Sequence, residues 1–145
     1  MFGTFFKNLL DPAPEPLNPD DARLAIASLL VRVARSDNDY SAAEKDKILK
    51  VLAARYDLAD DEAAALCAEA EAVEKEAPDT VRFTRAIKDA VAHEDRLHII
   101  EALWKVALAD GERDVEEDAL LRLVANLLGI TDVESAAARK RMEQL

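Results

Sequence analysis

The chain has 145 residues, of which half are hydrophobic, and its formal net charge is −11. This length suffices for the core of one domain, but the acidic balance lacks the basic stripe that nucleic-acid phosphates require, so nucleic acid is excluded as a predicted partner. No stretch approaches the roughly 20 apolar residues of a membrane span. The single cysteine and the absence of a visible secretory signal predict a cytoplasmic protein with no intrachain disulfide.

The first ten residues predict a short amphipathic segment outside the main domain. Its apolar residues are spaced as one helical stripe, which favours packing on the domain as a staple; the alternative is docking on a partner or peripheral contact with a lipid surface. Lys7 is its only cation, so lipid binding lacks electrostatic help. Residues 11–18 follow as a proline-rich linker, extended and rather stiff. The stripe consists of Phe2, Phe5, Phe6, Leu9 and Leu10.

Residues 19–145 predict one all-α domain, because alanine and leucine dominate, glycine is scarce and β-branched residues are scattered. Asn18, Pro19 and the acids after them are a strong start signal for the first helix, and Gly129 is placed to end the sixth. We expect a single-domain bundle of about seven helices. The predicted helices span about 19–36, 42–55, 60–76, 80 to a turn near 93, 93–109, 115–128 and 131–145.

One helix–loop–helix pattern is written twice in this domain at a constant offset. The helices around 25–34 and 97–107 are apolar nearly all round, so we expect both to be central. Each is followed by an acidic loop and a second helix, which predicts two helical hairpins related by a pseudo-twofold axis, with one central helix packed against the other. Leu30, Val33, Ala34, Asp37 and Glu44 recur as Leu103, Val106, Ala107, Asp110 and Glu117.

The end of each acidic loop has the pattern of a helix cap. Ser41 followed by Glu44 is a capping box, in which the serine oxygen accepts from a backbone N–H and the glutamate reaches back to the serine N–H. Asp114 and Glu117 repeat the device with aspartate as the cap. Since such caps contribute about 1 kcal/mol to stability, capping alone explains these four residues and requires no further function.

The start of each acidic loop is not explained by capping. Asp37 and Asp110 lie at helix C-termini, where the helix dipole favours a cation and disfavours an acid. A divalent cation would relieve the repulsion, and Ca²⁺, which takes about six to eight oxygen ligands, fits best, although the spacing is not that of an EF-hand. Each loop alone is too short to enclose Ca²⁺, so the loops either share ions across the twofold axis or form weak, water-rich sites. The candidate ligands are Asp37, Asp39, Glu44, Asp110, Glu112, Asp114 and Glu117.

The sequence offers few other groups for catalysis or metal binding. His93 and His98 do not have the i, i+4 spacing of a helical zinc pair. Cys67 has acidic neighbours, which raise the pKa of a thiol and make it a poor nucleophile. An enzyme that uses the paired carboxylates as acid and base is the weakest hypothesis, because no nucleophile or phosphate loop accompanies them. We therefore predict a non-enzymatic protein, with Trp104 in its core.

The second copy of the repeat places an uncommon apolar run directly before its acidic loop. Its residues are Leu103, Trp104, Val106, Ala107, Ala109, Asp110, Gly111 and Glu117, echoed in the first copy by Val33, Ala34, Asp37 and Glu44. Helix capping does not dictate Trp-Lys-Val-Ala before an acidic loop. Over residues 20–130 this pattern resembles the tellurite resistance protein B (TerB) family, so residues 19–145 are expected to form a TerB-like helical domain.

The resemblance implies more than the spacing does. It implies two acidic loops that lie close together, metal binding, and interaction with a protein partner, in a tellurite or stress response or beside J-domain co-chaperones. It carries over Asp37, Glu44, Asp110 and Glu117 as acidic positions. Asn38 departs from the glycine of the family pattern, which implies a weaker first loop. The alternative is a purely structural scaffold or co-chaperone-type interaction module whose acidic loops only cap helices.

Overall fold

The computed structural model describes residues 19–35, 40–76, 80–108 and 115–144. Within these ranges every regular element is a helix, which confirms the predicted all-α bundle. The predicted segment 1–10 and linker 11–18 lie outside the described residues. No helix in the described part of the chain is long and apolar enough to cross a membrane. The helices are α1 (Pro19–Ala34), α2 (Ala42–Tyr56), α3 (Asp60–Glu76), α4 (Thr80–Ala90), α5 (His93–Ala107), α6 (Val115–Leu127) and α7 (Asp132–Glu143).

Local signals in the sequence explain where these helices end. Gly129 follows α6 with a φ of 77°, a left-handed conformation that glycine adopts without strain. The backbone N–H of Ile130 then donates to the carbonyl of Ala125 at 2.9 Å, which satisfies an otherwise unpaired carbonyl at the end of the helix. The predicted end of the sixth helix is therefore confirmed. α1 and α5 end at Ala34 and Ala107, slightly earlier than expected.

The core is built around α1 and α5, as their apolar sequences predicted. Leu30 of α1 and Leu103 of α5 are both fully buried, and they occupy corresponding positions of the repeat. Trp104 lies in the core as expected, and only 5% of it is exposed. Its indole Nε1 donates to Ser135 Oγ of α7 at 3.2 Å, so the one polar atom of the ring is satisfied inside the bundle.

The two halves of the domain have matching helix contacts. In the first half α1, α2 and α3 contact one another, and in the second half α5, α6 and α7 do the same. The two central helices α1 and α5 pack together, and each also contacts the second helix of the opposite half. These contacts agree with two paired hairpins, while the pseudo-twofold axis itself stays a prediction.

Candidate metal site

The first acidic loop leads into α2, whose third residue is Glu44. Of the predicted ligands, Glu44 has a described side chain. Glu117 is placed by its backbone alone, in the first turn of α6. The approach of one acidic loop to the other falls outside the described residues and stays a prediction. The other predicted ligands lie outside the described residues, and they are Asp37, Asp39, Asp110, Glu112 and Asp114.

Glu44 closes the predicted capping box at the start of α2. Its backbone N–H donates to Ser41 Oγ at 3.1 Å, and its own Oε1 accepts from the backbone N–H of Ser41, also at 3.1 Å. Ser41 has extended backbone angles, as a residue that precedes a helix should. The structure therefore confirms the local role that the sequence predicted for this pair.

Capping does not account for the burial of Glu44. The residue is only 2% exposed, and its second carboxylate oxygen, Oε2, is buried and accepts no hydrogen bond from any described residue. Burying a carboxylate oxygen without a hydrogen-bond partner is unfavourable by about 1–3 kcal/mol or more, because the oxygen loses its hydration. A compensating positive charge is the usual solution for such a group.

A second capping box in the same chain shows what this motif looks like without burial. Before α7, the backbone N–H of Glu134 donates to Thr131 Oγ1 at 3.1 Å, and Glu134 Oε1 accepts from the backbone N–H of Thr131 at 3.0 Å. The Glu134 side chain is 37% exposed, and its Oε2 lies 3.6 Å from His93 Nε2. The hydrogen bonds from Thr131, foremost from its backbone, and the nearby His93 lower the pKa of Glu134. Glu134 therefore has the same capping geometry as Glu44 but is partly exposed and lies beside His93. Capping does not require a buried glutamate, so the burial of Glu44 needs another explanation.

Three basic side chains near the first loop pair with glutamates of α3. Glu74 of α3 receives Arg32 Nε at 3.3 Å and Arg35 Nη1 at 3.4 Å, which ties the end of α1 to α3. Lys45, directly after Glu44, lies 3.5 Å from Glu71. Among the described residues, none of these three basic side chains forms an ion pair with Glu44.

No further metal-binding cluster is found in the described part of the chain. No group of three or more histidine, cysteine, aspartate or glutamate side chains converges there. His93 and His98 contact Glu134 and Glu101 respectively, on different elements of the surface.

Cys67 lies on α3 beside Tyr40, close to the start of α2. The two side chains are 3.8 Å apart from Oη to Sγ, and Cys67 is 1% exposed. Burial is the main cause that raises the pKa of the Cys67 thiol, and Glu71 adds to it, whereas the hydrogen bond with Tyr40 and the charge of Lys45 lower it. Burial also raises the pKa of Tyr40. Cys67 is therefore kept as a neutral thiol, in line with the prediction of a poor nucleophile.

The raised pKa of the Cys67 thiol predicts a loss of stability at alkaline pH. Because its pKa is higher in the folded protein, its stabilising contribution is complete at neutral pH and is lost as pH rises above the unfolded value of about 8.5. We expect the free energy of unfolding to fall between pH 8 and 10 and to fall less in Cys67→Ala. Urea titrations at both pH values measure this difference, and equal losses in the two proteins would contradict it.

The fold and the site together define a class of protein: a small all-helical domain with two copies of an acidic helix–loop–helix element and a buried glutamate at the first. The sequence profile of the family described as "Tellurite resistance protein TerB" matches residues 23–140, a span that includes both loops. The chain therefore belongs to the TerB family. No curated protein and no solved structure matches it.

Proposed function

We propose that this TerB-family domain binds a divalent cation at its acidic loops and has no enzymatic activity. The observation that supports the proposal is Glu44, a buried carboxylate with one oxygen, Oε2, that accepts no hydrogen bond from a described residue. Capping uses Oε1 alone. The other oxygen is left for a ligand that carries positive charge.

The residue types of the loops favour a hard cation. Carboxylate oxygens are the ligands that Ca²⁺ prefers, and it accepts irregular sets of about six to eight of them. In the proposed site, Glu44 acts with Asp37 and Asp39 of the first loop. The cation would also offset the unfavourable position of an aspartate at the end of α1. The second loop contributes Asp110, Glu112, Asp114 and Glu117, which either complete the same site or hold a second ion.

Calorimetric titration of chelator-stripped protein with Ca²⁺, Mg²⁺, Mn²⁺ and Zn²⁺ tests the proposal. We expect Ca²⁺ to bind with a dissociation constant below about 1 mM, and the double variant Asp110→Asn with Glu117→Gln to bind at least about tenfold more weakly. Asp89→Asn with Glu76→Gln removes the same charges from exposed positions on α4 and α3 and is the matched control. Absence of binding by all four metals, or equal weakening in both double variants, would refute the site.

The family description supports two further proposals about the setting of this activity. A place in a tellurite or stress response follows from the family's name, and docking of a protein partner follows from the acidic surface and the small size of the domain. A cytoplasmic location stays a prediction from the sequence. The metal-dependent state of the loops would be the form that the partner recognises.

The second candidate function is a structural scaffold whose acids only cap helices. The two hydrogen bonds of the Ser41–Glu44 box favour it, since they give Ser41 Oγ and Glu44 Oε1 a capping role. It predicts that Ser41→Ala and Asp114→Ala each lower the free energy of unfolding by about 1 kcal/mol, with or without chelator. A dependence of either loss on calcium would count against it.

A further inference from the structure

A groove lined by basic side chains lies between α2 and α5. Its volume is about 490 Å³. Three cations of α2 line it, Lys47, Lys50 and Arg55, and α5 adds Lys105. In a chain with a net charge of −11, such a concentration of positive charge is a local feature that overall composition does not explain.

The positive charge of this groove is largely uncompensated. Among the described residues, Lys47 and Lys105 form no ion pair, and Arg55 Nε donates to the hydroxyl of Tyr56 rather than to an acid. Glu101 is the one acidic residue of the lining. Its two carboxylate oxygens lie 3.3 Å from His98 Nδ1 and 3.3 Å from Arg141 Nε. The groove therefore presents a net positive field to solvent.

The shape of the groove indicates an elongated ligand. The lining positions of α2 follow one helical face from Lys47 to Arg55, a length of about 12 Å at the rise of an α-helix. Apolar side chains lie between the α2 cations and Lys105 of α5, and they are Val51, Ala54, Ala102 and Met142. A helix with small apolar residues on one face can pack on these side chains and place acidic residues against the α2 cations and Lys105.

None of the lining cations is buried, and this argues against a site for a single small anion. Lys50 is exposed and already pairs with Asp46 at 3.0 Å on the helix surface. A compact anion would contact only some of these dispersed, solvated ammonium groups, and each exposed pair contributes little. An acidic amphipathic helix gains from several such pairs together and also covers the apolar side chains of the groove.

From these observations we infer that the groove between α2 and α5 docks an acidic amphipathic helix of a partner protein. The partner helix would carry alanine or leucine residues flanked by glutamate or aspartate. This inference is independent of the cation site, because none of the predicted metal ligands lines the groove.

A fluorescent synthetic peptide with the sequence of residues 60–76, with serine in place of the cysteine, is a suitable probe because it combines acidic residues with alanine, leucine and valine at helical spacing. Fluorescence anisotropy in chelator and 0.05 M salt should give a dissociation constant below about 100 µM, rising as salt screens the charges. Lys47→Glu with Lys105→Glu should weaken binding at least about tenfold. Lys75→Glu, an exposed charge reversal on α3 outside the groove, should change it less than about twofold.

Two controls on the peptide and the protein keep the result interpretable. A peptide in which Glu62, Glu69 and Glu76 are replaced by lysine should not bind, and circular dichroism should show that the groove variant is folded. Equal binding of both peptides, no binding of the acidic one, or complete displacement of it by an equimolar amount of inorganic triphosphate would overturn the inference. So would sedimentation showing that the free protein already fills its groove with a second copy of itself.

Discussion

Relative to the wild type, Glu44→Gln is expected to be at least as stable in chelator and less stable in calcium. In chelator the variant should be at least as stable as the wild type, because it removes a buried charge whose Oε2 has no described partner, while glutamine at this position still serves the capping box. At a calcium concentration about 100 times the dissociation constant, the wild type should gain about 2.7 kcal/mol. This corresponds to a rise of roughly 8 °C in melting temperature, and the variant should lose most of the gain.

Glu134→Gln is the matched control for this experiment. It makes the same chemical change at the same position of a capping box, but at a side chain that is 37% exposed and lies beside His93. It should respond to calcium as the wild type does. If both variants keep the full calcium response, or if the wild type melts at the same temperature in chelator and in calcium, Glu44 is not a ligand.

Leu30→Ala and Leu103→Ala are each expected to destabilise the fold by about 2–5 kcal/mol. Both side chains are fully buried on the central helices α1 and α5, so truncation leaves a cavity that helices packed on several sides cannot close. The two positions correspond in the repeat, and similar losses would support the predicted relation between the hairpins. Urea denaturation in chelator measures both without interference from bound metal.

Leu123→Ala provides the comparison for these two core variants. Leu123 lies on α6 and is 44% exposed, so its truncation should lower the free energy of unfolding by under about 1 kcal/mol. If one of the two core substitutions had as small an effect as Leu123→Ala, the two central helices would not be equivalent in the core.

The sequence was sufficient to predict the helices and the core. Apolar residues around most of α1 and α5 identified the central pair, and the turn at Gly129 was readable because glycine tolerates the left-handed angle found there. The capping box at Ser41 was predicted with both of its hydrogen bonds. The similar box at Thr131 was detectable from its Thr-x-x-Glu pattern and was recognised only as a helix start.

The burial of Glu44 was not predictable in the same way. The patterns Ser-x-x-Glu and Thr-x-x-Glu are local and nearly identical, yet Glu44 is buried and Glu134 is partly exposed. Side-chain exposure at a helix start depends on tertiary contacts that no spacing rule contains. The basic groove was missed for the same reason, since Lys47 and Lys105 are brought together only by the packing of α2 on α5.

Equilibrium dialysis against calcium, with wild type, Glu44→Gln and Glu134→Gln in parallel, determines whether Glu44 is a calcium ligand. All three proteins contain both acidic loops, and each variant lacks one capping-box carboxylate. If Glu44 is a ligand, the wild type and Glu134→Gln should take up equal amounts of calcium. Glu44→Gln should bind calcium at least about tenfold more weakly. Equal uptake by all three proteins, or uptake by none at millimolar calcium, would contradict this role of Glu44.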